Sequence, residues 1–231
     1  MIRGALASLP SRCPLCQMAA RGGLLCDGCD GDTFQARQCR ALCSTCALDL
    51  PAAGPCLVCH SNTELAALVC AFDYAFAGQT LINMYKEGRQ LALARLLGQQ
   101  MVRAIEPVLN LHHLDSWVPI PASQARLSRN GFSPAQQLAR VVAAHTAIPS
   151  RLDWLKQIRD APPQKTLSRR QRSMAVQGRF EADLAVSGRS IGIVDDVVTT
   201  SSTVVAAAKV LKAAGATRVI VLAAARTPQI A

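Results

Sequence analysis

A chain of 231 residues, half of them hydrophobic, is long enough to bury a real core and too apolar to stay disordered. Its 25 basic residues against 15 acidic ones give a formal charge of +10, which suits anionic ligands: a phosphorylated small molecule or nucleic acid. No apolar run reaches membrane-spanning length and Met1–Pro10 is too short for a secretory leader, so the cytoplasm is the expected compartment, with docking on a membrane-associated machine still compatible.

Ten cysteines in a reducing compartment read as metal ligands before disulfides. Eight of them form four knuckles: Cys13-x2-Cys16, Cys26-x2-Cys29, Cys43-x2-Cys46 and Cys56-x2-Cys59. The unit Cys-x2-Cys-x9-Cys-x2-Cys thus recurs after thirty residues, an internal repeat of a small module. One knuckle grips a metal from one side, and a second closes the tetrahedron. The repeat favours sequential sites, Cys13, Cys16, Cys26 and Cys29 for one and Cys43, Cys46, Cys56 and Cys59 for the other. Interleaving the first knuckle with the third stays open. Two full four-cysteine sets leave no free coordination position, so two Zn²⁺ ions would be structural. Eight thiolates on two Zn²⁺ bring the charge to about +6, still basic. Cys39 and Cys70 fall outside the repeat. Cys70, among Leu68, Val69 and Phe72, reads as a core thiol, and His60 as a surface residue.

Leu65–Phe76 is apolar enough for one or two strands. From Gln79 to Glu106 apolar residues recur at helical spacing with a break near Gly88: Leu81, Ile82 and Tyr85 before it, Leu91, Leu93, Leu96, Leu97 and Val102 after it. Lys86 and Arg89 flank the break. Asp115–Ile120 reads as a strand running into Pro119-Ile120-Pro121-Ala122. A proline-fixed turn at a strand end suits a pyrophosphate-binding loop at Pro121 and Ala122, with Arg126 and Arg129 to neutralise the anion. A plain βα turn with solvated arginines fits this segment equally. Ser133 caps and Pro134 opens a helix, Ala135–His145. His145 reads as a helix-end residue.

Residues 151–179 are the most basic part of the chain. Lys165, Arg169 and Arg172 lie in its middle, and Pro162-Pro163 forbids helix at its start. That composition suits a lid closing on a pyrophosphate, or a surface for single-stranded DNA. Aromatic residues that would stack on bases are nearly absent; only Trp154 and Phe180 lie within or beside it.

The organising stretch is Ile191–Thr203. A buried parallel strand ends in Asp195-Asp196, followed by the hydroxyl-rich turn Thr199, Thr200, Ser201, Ser202 and Thr203. An Ala-rich helix, Val204–Ala214, follows and is closed by Gly215. The free N–H groups of a helix start beside hydroxyls make an anion site. The two carboxylates can accept from sugar hydroxyls or hold Mg²⁺. One ligand needs both: a ribose carrying a 5′-phosphate. The competing reading is an ordinary capped helix, with Ser202 or Thr203 as the cap. Thr217–Ala224 is a last buried strand, and Arg226 follows it. Strand and helix in alternation imply a parallel α/β sheet with the ligand at its C-terminal edge.

The Asp195–Thr203 stretch resembles the phosphoribosyl-pyrophosphate (PRPP) motif of type I phosphoribosyltransferases. With the double zinc-ribbon pattern ahead of it, nearly the whole chain resembles the ComF family, competence-related proteins that include the GntX type. The resemblance implies a double zinc ribbon over residues 1–62. It implies a type I phosphoribosyltransferase-like domain, a parallel sheet flanked by helices, over 63–231. It also implies PRPP with Mg²⁺ as ligand, a transferase of the pentosyl class as activity, and a role in DNA uptake or nucleotide metabolism. Gln164, Leu167, Ser168, Arg172, Val176, Gly178 and Phe180 fit the family pattern. The chain departs from it at Asn130 and Ser133-Pro134, where Arg-Gly-Phe-Asn-Gln is usual, at Ala161 and Ala175, and at Ser201, where a glycine is usual. These departures keep a second expectation in play: a single-stranded-DNA-binding module with a degenerate PRPP pocket.

Overall fold

The computed structural model describes residues 9–51, 55, 56, 58, 59, 64–87, 90–108, 110–123, 127, 128, 131–158 and 178–228. The N-terminal module begins with a small antiparallel hairpin, β1 (Pro10–Arg12) and β2 (Ala19–Arg21). A helical stretch follows, Asp27–Asp30 continuing through the wider π turns of Gly31–Gln35 into Ala36–Gln38. So small a module has little apolar core of its own. Its second half buries only Cys43, Cys46 and Leu48 as a cluster.

The rest of the chain builds a four-stranded sheet. Strands β3 (Ala67–Asp73), β4 (Ser116–Pro119), β7 (Ser190–Val198) and β8 (Arg218–Arg226) lie in the order β3-β8-β7-β4, all parallel. This is the α/β parallel sheet expected from the alternation of elements. β7 and β8 are apolar along almost their whole length because both faces are covered. Helices α1 (Phe76–Lys86), α2 (Leu93–Ile105) and α3 (Pro134–Thr146) cover one face, with Leu81, Leu97, Met101 and Leu138 packing on Val69, Trp117, Val194 and Leu222. Helix α4 (Ser202–Ala213) covers the other through Val204, Ala207 and Leu211, against Leu68, Val118, Ile193 and Val221. A second hairpin, β5 (Leu155–Gln157) with β6 (Phe180–Ala182), packs Leu155 and Phe180 into that same layer. The two ends of the basic stretch are therefore pinned side by side.

Several expectations sharpen. Leu65–Phe76 holds one strand, Ala67–Asp73, and Phe76 already opens α1. The break near Gly88 separates two helices, α1 and α2. Ser133 caps α3 as expected, its Oγ accepting from the Gln136 N–H. His145 sits at the end of α3, its Nδ1 2.8 Å from the Val141 carbonyl oxygen. Cys70 is buried in the core, whereas Cys39 is exposed. His60 lies outside the described residues. Both terminal strands run further than their apolar content suggests: β7 continues to Val198 beyond the carboxylates, and β8 to Arg226, because the two remain paired to their ends (Val198 opposite Arg226). Among the described residues no helix is long and apolar enough to cross a membrane.

Candidate functional site

The site is built where β7 delivers its last residues to the C-terminal edge of the sheet. Asp195 and Asp196 are both buried within the strand. Adjacent residues of a strand point to opposite faces, and the two carboxylates settle differently. The Asp195 Oδ1 accepts from the Asp196 N–H at 2.8 Å, and the Asp196 Oδ1 from the Val197 N–H at 2.7 Å. Lys86, at the C-terminus of α1, reaches Asp196 Oδ2 with its Nζ at 2.7 Å. Burial, with the charge of Asp196 beside it, pushes the Asp195 carboxyl up to about 8. Burial thus favours the protonated form of Asp195 in the ligand-free protein. The same surroundings raise the Tyr85 hydroxyl, which is buried near Asp196 and donates to the Pro134 carbonyl oxygen at 2.9 Å.

A cleft of about 290 Å³ opens over these groups. Asp195 and Asp196 form its floor, Ile120, Pro121 and Ala122 one wall, Lys86 and Glu87 another, and Ser133, Pro134 and Ala135 close it. The proline turn and the carboxylate pair, distant in sequence, therefore share one cavity. The turn 197–204 lines an adjoining hollow together with Asp195.

That turn is not an ordinary capped helix start. Ser201 occupies the N-cap position of α4 with a left-handed backbone, φ +62° and ψ −6°, and its side chain makes no capping bond. Ser202 and Thr203 are helical residues, so neither is the cap. The Thr200 and Ser202 hydroxyls lie 2.8 Å apart. The first N–H groups of α4 consequently have no intrahelical acceptor and no side-chain cap, while the turn opens to solvent at Thr199 and Thr200. Left-handed φ at Ser201 also explains why glycine is usual there: a Cβ is tolerated in this region only at a cost. Arg126, with Arg129 and Asn130, and Lys165, Arg169 and Arg172, expected to form a lid, with Ala161 and Ala175, lie outside the described residues.

The cysteines assemble as two separate clusters, Cys13, Cys16, Cys26 and Cys29, then Cys43, Cys46, Cys56 and Cys59. This is the sequential pairing; the interleaved one is excluded. In each set the sulfurs all lie within 4.8 Å of one another, and nearest pairs stand at 3.3 to 3.6 Å. A tetrahedron with Zn–S near 2.3 Å has an edge of roughly 3.8 Å, so each set could hold a structural zinc ion. Without a metal the thiols of each set share protons unevenly: despite burial, backbone N–H groups of the knuckles bring Cys13 and Cys56 down to about 6, while burial and neighbouring sulfurs push Cys29, Cys46 and Cys59 up.

Two groups of this region escaped the sequence reading. Lys86 was legible only as a cation at a helix break. Arg226, expected after the last strand, is its final residue and fully buried. Its Nη1 donates to the carbonyl oxygens of Val198 (3.0 Å) and Thr199, and its Nε to that of Cys46 (2.9 Å).

Known proteins resemble this chain at both levels. A phosphoribosyl transferase domain is matched over residues 127–229. DNA utilization protein YhgH of Escherichia coli K12 is 31% identical over 233 residues, covering 96% of this chain and 100% of that one. Competence protein F of Haemophilus influenzae is 26% identical over 224 residues, covering 87% and 96% of the two chains. The solved glutamine PRPP amidotransferase of B. subtilis, complexed with ADP and GMP, aligns with a TM-score of 0.38 and 23% identity, covering 55% of this chain and 25% of that one. At that score it adds nothing to the strand order above. Identity at this level along the full length of YhgH shows that the chain belongs to the same family, the ComF family of competence-related phosphoribosyltransferase-domain proteins.

Proposed function

We propose that this protein binds PRPP, or another 5′-phosphorylated ribose, at the C-terminal edge of β7, within a role in DNA uptake or nucleotide metabolism. The observation that supports this best is the uncapped, left-handed start of α4 lying next to two buried carboxylates and a proline-walled cleft. In this reading the N–H groups and hydroxyls of Thr199, Thr200, Ser201, Ser202 and Thr203 hold the 5′-phosphate. Asp195 and Asp196 accept from the ribose 2′- and 3′-hydroxyls. Pro121, Ala122 and Arg126 receive the pyrophosphate, and Lys165, Arg169 and Arg172 close over it. Asp195 and Asp196, two carboxylates lining the cleft, would suit a hard cation such as Mg²⁺, which would supply charge neutralisation for the pyrophosphate. Transfer breaks the C1′–O bond, the electron pair leaving with pyrophosphate while positive charge grows on the ribose, and a lone pair of the acceptor substrate forms the new bond at C1′. Asp196, held by Lys86, and Asp195 are placed to stabilise that charge. No protein nucleophile is needed. The two zinc ions have no open position and serve the fold.

A second reading has its own support: YhgH and competence protein F are named for DNA utilization and competence, and the chain is basic. Here the protein binds single-stranded DNA and the pocket is vestigial. Titration calorimetry with PRPP and Mg²⁺ separates the two. Binding that Asp195→Asn weakens at least tenfold supports the first. Absence of PRPP binding, with single-strand binding that falls steeply with salt, supports the second.

A further inference from the structure

Among the described residues Arg226 is the only cation joining the cysteine module to the phosphate turn. It is 2% exposed, and its recorded partners are all carbonyl oxygens. Two belong to the end of β7 and the turn, Val198 and Thr199; a third, Thr227, is the residue that follows Arg226 itself. The fourth belongs to Cys46, a ligand of the second cluster. The Cys46 carbonyl is the acceptor for Nε, so its departure leaves that buried N–H unpaired, while the two N–H groups of Nη1 are shared among the other three carbonyls and draw them to one point. On the cysteine side, hydrogen bonds hold the neighbouring Ala47, while Cys46 itself is tied through its sulfur to the second cluster. The knuckle closes through the Ala47 N–H donating to the Cys43 carbonyl oxygen at 2.8 Å, with Ala47 at φ +54°. A second buried arginine, Arg37, donates to the Ala47 carbonyl oxygen at 2.7 Å and to the Asp73 carboxylate at the end of β3. The first cluster is docked elsewhere. Asp30, next to Cys29, accepts from Arg103 and Gln100 on α2, each at 2.8 Å.

We propose that Arg226 is a positioning residue for the phosphate turn and that the second cysteine cluster, not the first, holds it in place. Peptide planes flanking Thr199 are thereby locked with their carbonyls on Arg226, which leaves the N–H groups that follow free to face the ligand. Loss of metal from Cys43, Cys46, Cys56 and Cys59 frees the Cys46 carbonyl and slackens the turn. The ligand-affinity part rests on the phosphate-site reading above; the ordering of the turn does not.

The experiment compares the full-length, zinc-loaded protein with Cys56→Ser, Cys26→Ser, Arg226→Lys and the double variant Cys56→Ser/Arg226→Lys. Zinc content is measured for each. Amide hydrogen exchange over residues 198–203 is read without ligand, and ribose 5-phosphate affinity by calorimetry. Cys56 does not touch Arg226, and lysine keeps the charge but cannot fan across four carbonyls. Expected is faster exchange over 198–203 and at least tenfold weaker binding in Cys56→Ser and Arg226→Lys. The effect of Cys56→Ser exceeds that of Cys26→Ser at least fivefold, and the double variant is no worse than either single one. Equal effects of the two cysteine variants, or additive effects in the double variant, overturn the proposal. If Cys56→Ser does not fold, Arg226→Lys with full zinc content decides: unchanged exchange over 198–203 overturns it. A wild type that binds no ribose 5-phosphate sinks the phosphate-site reading, while the exchange data still judge the joint.

Discussion

Replacing Ser201 by glycine tests the phosphate turn most directly, because stability and affinity should respond differently. Ser201 holds φ +62°, a region where a Cβ costs about 1 kcal/mol. Glycine relieves that strain but frees the unfolded chain by roughly 0.4–1 kcal/mol. The net change in folding stability is therefore close to zero, and the melting temperature should move by no more than about 2 °C. Affinity follows another rule. Strain present in both free and bound protein cancels, so only the space vacated by the Cβ counts. If that space lets one more backbone N–H reach a phosphate oxygen, the gain is one charge-assisted hydrogen bond, discounted for an open turn to about 1 kcal/mol, or roughly fivefold in Kd. Calorimetry with ribose 5-phosphate, alongside thermal unfolding, reads both quantities. Ser201→Ala serves as control, since it keeps the Cβ and loses only the hydroxyl; it should not gain. Unchanged affinity in Ser201→Gly, or an equal gain in Ser201→Ala, refutes the argument that side-chain bulk limits phosphate approach.

Other consequences concern the acidic floor and the sheet. Lys86→Gln leaves Asp196 without its 2.7 Å ammonium partner, in a mostly buried setting, and should cost about 1–3 kcal/mol in chemical denaturation; millimolar Mg²⁺ should recover part of that loss, and a variant as stable as wild type would contradict it. For Asp195, native pKa about 8 stands above the ordinary carboxylate value, so between about pH 4 and 8 the native state holds the proton that the unfolded chain has released. Stability contributed by this group is thus lost as pH rises through that window. Melting curves of Asp195→Asn and wild type at pH 6, 7 and 8 should diverge in favour of the variant as pH increases; parallel curves would mean that Asp195 is already ionised. At Gly192 an added Cβ would stand 2.4 Å from the ring of Trp117, its register partner on β4, so Gly192→Ala should lose about 1–3 kcal/mol without altering zinc content.

Features with a local cause were legible in the sequence. The knuckle spacing fixed both clusters, and only their pairing needed coordinates. Apolar runs marked β7 and β8, and the chain's departure from glycine at Ser201 pointed to the one residue of the turn that carries left-handed φ. The ends of those strands were not legible, since Asp195, Asp196 and Arg226 are kept in the sheet by pairing with a neighbour and not by their own propensity. Nor were the roles of Lys86 and Arg226. A lysine at a helix end and an arginine after an apolar strand are ordinarily solvated. What holds them is tertiary: the buried Arg226 guanidinium meets a carbonyl 180 residues away, and the half-buried Lys86, on α1, meets a carboxylate on β7. Composition and periodicity carry no trace of partners that remote.

The charge of the cleft itself makes a demand on its ligand. Among the described residues its lining places the carboxylates of Asp195, Asp196 and Glu87 against one ammonium, Lys86. Even with Asp195 protonated, as its burial favours, these described groups carry about one net negative charge, which opposes a pyrophosphate. The turn 199–203 has no such opposition: it offers N–H groups and hydroxyls. Two halves of one ligand should therefore respond differently to a divalent cation. Ribose 5-phosphate, which loads the turn, should bind with nearly the same affinity with or without Mg²⁺. PRPP should need it, gaining at least tenfold, because the cation converts the acidic floor from a repulsive surface into an attractive one. Drawing Asp195 into its charged form must also expel a proton. The calorimetric enthalpy of PRPP binding at pH 7 should then vary with the ionisation enthalpy of the buffer, and that variation should vanish in Asp195→Asn. PRPP affinity indifferent to Mg²⁺, with no proton released, would mean that the carboxylate pair does not face the pyrophosphate side at all.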